Sequence, residues 1–185
     1  MDHADRAAGG AANRWRPLMW GAAGFLLLLP AIAMRFTPEV NWTASDFIFW
    51  GVMLATACGL YELATRLSDD GCYRAGFATA VLTAFLVTWS NLAVGIIGNE
   101  DNELNLLFFA LLALGAAGAA LVRFRARGLA RVAAMLGLAQ LMIALSVFAA
   151  GWDNRGATFS LVFVALWATS YGLFSRAAKK AGNAG

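Results

Sequence analysis

The chain contains a single histidine, His3, in the low-complexity opening stretch M-D-H-A-D-R-A-A-G-G-A-A-N. One tail histidine cannot build a histidine-based metal centre or serve a nucleophile as its base, so no catalytic residue, metal or cofactor is expected. Cysteine is almost as scarce. Cys58 falls inside an apolar run, Cys72 follows Asp69-Asp70-Gly71, and no C-x-x-C pair joins them, which excludes a disulfide scaffold and thiol redox chemistry. Only Pro17, Pro30 and Pro38 can interrupt helices; Pro17 suits a helix start, Pro38 a loop, and Pro30 a kink within a span. Charged residues make up 14% of the chain, against 61% hydrophobic residues, a balance too apolar for one soluble core of 185 residues.

The hydrophobic residues lie in blocks near the ~20 residues that cross ~30 Å of hydrocarbon. Six spans are expected, at residues 18–34, 47–65, 77–97, 104–122, 132–150 and 159–174. Their runs are continuously apolar and rich in Ala, Leu and Gly, without the alternation of a membrane strand, so the expected fold is an all-α membrane protein. The stretches 1–16 and 177–185 read as disordered tails around a single six-helix domain over 17–176. With the N-terminus inside, twelve Lys and Arg fall on the inner face and only Arg35 and Arg155 on the outer. This positive-inside asymmetry implies three outward-pointing hairpins with both termini cytoplasmic. The lead of arginines, Leu18 to Leu29 and Ala31-Ile32-Ala33 also has the order of a secretory signal, although a 16-residue lead and Trp20 fit a retained helix better.

The polar residues inside the apolar runs are few. Glu62 is the one ionisable side chain expected within a span; it lies four residues before Arg66, which can pair with it at the inner interface. Its alternative role is proton or cation relay. Ala84, Thr88, Asn91 and Gly95 form a small-and-polar seam on the third span. Asn91 needs a partner in lipid, and Gln140 is the expected one, joined by Thr169 and Ser170. These six residues, Glu62, Thr88, Asn91, Gln140, Thr169 and Ser170, are the candidate intramembrane site, as packing glue or as a hydrated path. Gly51, Ala55 and Gly59 place small residues four apart on the second span, a spacing that lets backbones approach closely. A weak repeat, A-T-x-x-G-L followed by an aromatic, links Ala55–Tyr61 with Ala168–Phe174.

Between the third and fourth spans, Asn99, Glu100, Asp101, Asn102 and Glu103 cluster oxygen ligands that could hold a hard cation. The D-x-D-x-D-G order of a calcium loop is missing. Capping also accounts for them, with Asn102 closing the fourth helix and Glu103 beside the positive end of its dipole. Thr43 or Ser45 is expected to cap the second helix, and Thr158 or Ser160 the sixth. Arg123, Arg125, Arg127 and Arg131 form a basic turn suited to anionic phospholipid headgroups; topology accounts for its charge without nucleic acid.

The segment N-L-A-V-G-I-I-G-N-E-D-N, together with the R-F-R-A-R-G-L-A-R turn, resembles a family of uncharacterised small inner-membrane proteins of proteobacteria. The resemblance runs from about Asn41 into the sixth span and is most specific over Asn91 to Asn102. It implies a bacterial inner-membrane location, and transfers no activity and no functional residue. Two functional classes remain: an accessory or scaffold component packing against another membrane complex or itself, and a small transporter, channel or sensing protein. An enzyme ranks below both, since no catalytic constellation is present.

Overall fold

The structure is a computed structural model that describes residues 2–183, with side chains from Arg16 onward. It is 82% helix, and among the described residues there is no strand. Its helices are α1 (Asp2–Ala33), α2 (Ala44–Leu67), α3 (Gly71–Ala93), α4 (Leu106–Leu121), α5 (Ala126–Ala149) and α6 (Asn154–Asn183), with a 3₁₀ turn over Glu103–Asn105 leading into α4. All six helices are long and apolar enough to cross a membrane. Many large apolar side chains lie open on them, among them Phe25, Ile48, Leu82, Leu114, Met135 and Val162. Water would penalise that surface heavily, and lipid does not.

Several boundaries differ from those expected. The third span, expected to reach residue 97, ends as a helix at Ala93, because Gly95 turns the backbone to φ +73°. It begins at Gly71, where the Asp70 carboxylate accepts from the Tyr73 N–H at 2.9 Å and caps it. The sixth helix runs past 174 to Asn183, so residues 177–183, expected as tail, are helical. Ala177 is buried there, and Lys180 reaches the Asp70 carboxylate at 3.2 Å. Both Pro17 and Pro30 lie inside α1. At the other end, residues 2–16, expected as a disordered tail, are the first turns of α1.

Where the sequence reads as one domain, the chain divides into two compact units, Met1–Leu63 and Ala64–Gly185. In the first, the contacts of α1 with α2 run in opposite senses along the two helices. Arg16 and Trp20 meet Glu62, the Trp50 indole N–H donates to the Leu26 carbonyl at 3.1 Å, and Gly51 faces Leu27. Asp46 reaches back from the first turn of α2 to accept from the Thr43 N–H and hydroxyl at 2.7 and 2.8 Å. Thr43 or Ser45 was the expected cap; Thr43 stands immediately before α2, and the first-turn carboxylate of Asp46 makes the return half of a capping box with it.

In the second unit, α6 packs on both α5 and α3, and α4 packs chiefly on α5. The main partner of α3 is thus α6 and not its chain neighbour. Small residues set these approaches: Gly76 of α3 lies under Leu173 and Phe174, Gly137 of α5 under the Cβ of Trp167, and Gly115 and Gly118 of α4 under Leu136 and Val132. Such close approach supplies van der Waals packing in lipid, where apolar surface alone provides no drive for helices to associate. At one end, Tyr73, Phe77, Phe174 and Leu129 form one apolar cluster. Toward the other, Val87, Ile96, Ile97, Phe108, Val147, Ala157 and Phe163 form a second.

Candidate functional site

Most of the polar residues expected to share one site are bonded within their own helix or to an adjacent one. Thr88 and Thr169 each return a hydroxyl to the carbonyl four residues back, Ala84 and Ala165, at 2.9 Å. Ser170, fully buried, donates to the Gly76 carbonyl at 2.9 Å and fastens α6 to α3. Gln140, also buried, accepts from the Trp167 indole N–H at 3.0 Å and donates to Ser160 Oγ at 3.4 Å. Asn91 was expected to bond Gln140 and does not. It is 3% exposed, and neither oxygen nor nitrogen of its amide finds a hydrogen-bond partner among the described residues. Gln140 takes its partners from α6, because the α5–α6 contact brings Trp167 and Ser160 within its reach.

Glu62 has partners that its sequence reading did not name. Arg16 donates from Nε to Oε1 at 3.0 Å and from its terminal nitrogen to Oε2 at 2.8 Å, and the Trp20 indole N–H adds a third bond to Oε1 at 2.8 Å. The carboxylate side chain is 15% exposed and the guanidinium 55%. A bidentate arginine fork with an indole donor satisfies the carboxylate from the neighbouring helix, partners that an i,i+4 reading toward Arg66 did not name.

The segment from Asn91 to Asn105 is the most elaborately built part of the second unit. After α3 ends, Gly95 and Gly98 take positive φ, and a Cβ on Gly95 would run into the backbone of Asn99. The resulting loop is tied by two side chains that sequence reasoning missed. Asn105, buried in the 3₁₀ turn, accepts from the Ile96 and Ile97 N–H groups at 3.1 and 2.9 Å. Its amide nitrogen donates to the Ile97 and Asn99 carbonyls at 3.2 and 2.7 Å. Asp153 accepts from the Gly98 N–H at 2.8 Å and from the Arg155 and Gly156 N–H groups at 3.0 and 2.9 Å. One carboxylate therefore caps α6 and holds the loop. Asp153 takes the place expected for Thr158 or Ser160: Thr158 bonds Asn154 within the helix, and Ser160 faces Gln140. The N–H groups of Gly156 and then Gly98 hold the Asp153 carboxyl below the ordinary aspartate range, against a small opposing effect of burial. An asparagine at the head of an apolar run and an aspartate just before a helix were the available signals for these two roles.

Of the acidic turn, Asn102 caps the 3₁₀ helix by accepting from the Leu104 N–H at 3.0 Å. Asn99, Glu100, Asp101 and Glu103 are exposed. Among the described residues no three His, Cys, Asp or Glu side chains are grouped to hold a metal ion. Arg123, Arg125, Arg127 and Arg131 are all exposed around the α4–α5 turn, whose Arg123 and Phe124 both take left-handed backbone, φ 51° and 55°. Tyr73 Oη donates to the Phe124 carbonyl at 2.8 Å and pins that strained turn to α3.

No protein-family model, curated protein or solved structure matches the chain.

Proposed function

We propose that the protein is an accessory or scaffold component of a bacterial inner membrane that acts by packing. One observation carries this reading: the intramembrane polar residues are spent mainly on holding the chain's own helices together. Ser170 closes on Gly76, Gln140 on Trp167 and Ser160, and Glu62 on Arg16 and Trp20. A transport path would instead need polar groups converging on a shared, open route. The positive-inside asymmetry supports three hairpins, with both ends of the chain cytoplasmic and the acidic 99–103 turn outside. In that orientation the exposed arginines of the α4–α5 turn face the anionic leaflet, each contributing about 1 kcal/mol near such a surface. The partner-facing candidate is α2, where Ala55 and Gly59 are exposed and a Cβ on Gly59 would meet nothing.

The alternative, a small transporter, channel or sensing protein, draws on one observation, the unpaired amide of Asn91. Native mass spectrometry of protein released in its own lipids separates the two. A stoichiometric second protein, or a homo-oligomer lost on Gly59→Leu substitution, supports the packing role. A monomer that is indifferent to Gly59→Leu refutes it.

A further inference from the structure

Asn91 stands apart from the other buried polar groups. Gln140, Ser160, Ser170, Thr83 and Asn105 all engage protein partners, whereas the Asn91 amide has neither its donor nor its acceptor used among the described residues. Its surroundings follow from two observations. Val87, one turn earlier on the same face of α3, packs in the cluster containing Val147 of α5 and Ala157 and Phe163 of α6. Gly76 of α3 meets Ser170 and Phe174 of α6. Asn91 lies about 15 residues above Gly76, roughly 22 Å at the helical rise. The same rise back along the oppositely running α6, from Ser170 and Phe174, reaches residues 155–159, the turn just before Ser160. Asn91 therefore lies within about one turn of the Ser160–Gln140 pair, whose bond is long at 3.4 Å and whose amide nitrogen uses one of its two hydrogens.

A buried amide with no partner costs about as much as a lost hydrogen bond, and buried polar groups of this kind are ordinarily satisfied by an ordered guest. The chemistry of that guest is constrained on each side. At 3% exposure, Asn91 cannot be reached by a partner chain. The aliphatic and aromatic cluster around it would penalise a charge heavily. A carboxamide offers one acceptor and two donors side by side, so its complement both donates and accepts. We propose that Asn91, with Ser160 and Gln140 about one turn away, forms an internal site for a small uncharged guest that donates and accepts hydrogen bonds: water, or a neutral solute of the urea or amide class. The site is independent of the packing role.

The test uses the full chain in lipid nanodiscs, with the Asn91 side-chain amide resonances assigned by their loss in Asn91→Leu. Magnetisation transfer from water to the Asn91 NH₂, with the surrounding α3 backbone amides protected from exchange, is the result expected for a hydrated site. Titration with urea and then formamide distinguishes the second source. A saturable shift of the Asn91 NH₂ signal, with no matching shift at Asn105, identifies a solute site. Absence of both water transfer and a saturable shift in the folded wild-type protein overturns the proposal, and needs no variant to fold. An increase in melting temperature for Asn91→Leu would accompany that failure, since a dry, unpaired amide would only have destabilised the helices.

Discussion

Replacing Asn105 by alanine removes the four hydrogen bonds that hold the loop after α3, two accepted from Ile96 and Ile97 and two donated to Ile97 and Asn99. The Asn99 carbonyl belongs to an exposed residue and can turn to solvent, whereas Ile96 and Ile97 are each 2% exposed and their amides cannot. Leaving a buried group unpaired costs about 1–3 kcal/mol. The two amides, with a smaller loss at the Ile97 carbonyl, place the expected destabilisation at about 3–5 kcal/mol on the same scale. Asn105→Asp tests the same geometry from the other side. It keeps the acceptor for the two amides but sets carboxylate oxygen against the two carbonyls, so it should also destabilise at neutral pH and recover in part on acidification as protonation restores a donor. The assay is reversible unfolding in mild detergent, combined with hydrogen exchange at Ile96 and Ile97. Faster exchange at those two amides should accompany the lost stability. An Asn105→Ala protein within ~1 kcal/mol of wild type, with both amides as protected as before, would show that the side chain does not hold the loop.

Acid should loosen the same region through Asp153. Its carboxyl is held below the ordinary range, so the stability it contributes is present above the unfolded pKa and is lost as pH falls through the lowered folded value. Melting curves from pH 7 to 3 should therefore fall less steeply for Asp153→Asn than for wild type, and parallel curves would count against the assignment. Glu62→Ala leaves the Arg16 guanidinium and Trp20 indole without their acceptor. Because Arg16 is half exposed, the loss should be about 1–2 kcal/mol, below the 3–5 of a fully buried pair; Trp20 fluorescence reports it. Gly76→Val should destabilise by about 1–3 kcal/mol through overpacking against Leu173 and Phe174, while Gly59→Ala, open on its Cβ side, should melt as wild type does. A cysteine at Glu100 should react with a membrane-impermeant maleimide from outside and one at Arg125 should not, with Cys58 and Cys72 first replaced; the reverse pattern would invert the topology.

Local features were legible in the sequence, and partner choice between distant helices was not. Apolar runs of spanning length marked six helices, whereas Asn102, expected to cap the fourth, caps the 3₁₀ turn that leads into it. The Arg16 and Trp20 partners of Glu62 were not legible, because they lie 46 and 42 residues away in the chain. The Asn91–Gln140 pairing followed from the need of an amide in lipid for a polar partner. Trp167 and Ser160 took Gln140 because helix packing, which no local pattern encodes, brought α6 to α5. The third helix was extended through Ile96 and Ile97 because both are apolar. They are indeed buried, but as a loop fastened by Asn105, and apolarity alone does not distinguish a buried loop from a helix end.

The preference of α3 for α6 over its neighbour α4 also sets an order of events during synthesis. The stretch from the end of α3 at Ala93 to the start of α6 at Asn154 takes roughly 3–12 s to translate at ~5–20 residues per second. For that interval α3 is in the membrane without the helix that covers Gly76 and packs on its Val87 face. The insertion machinery or bulk lipid must shelter that face meanwhile. A ribosome that stalls or terminates before residue 154 therefore releases an unfinished bundle whose polar seam is still open, a ready substrate for membrane quality-control proteases.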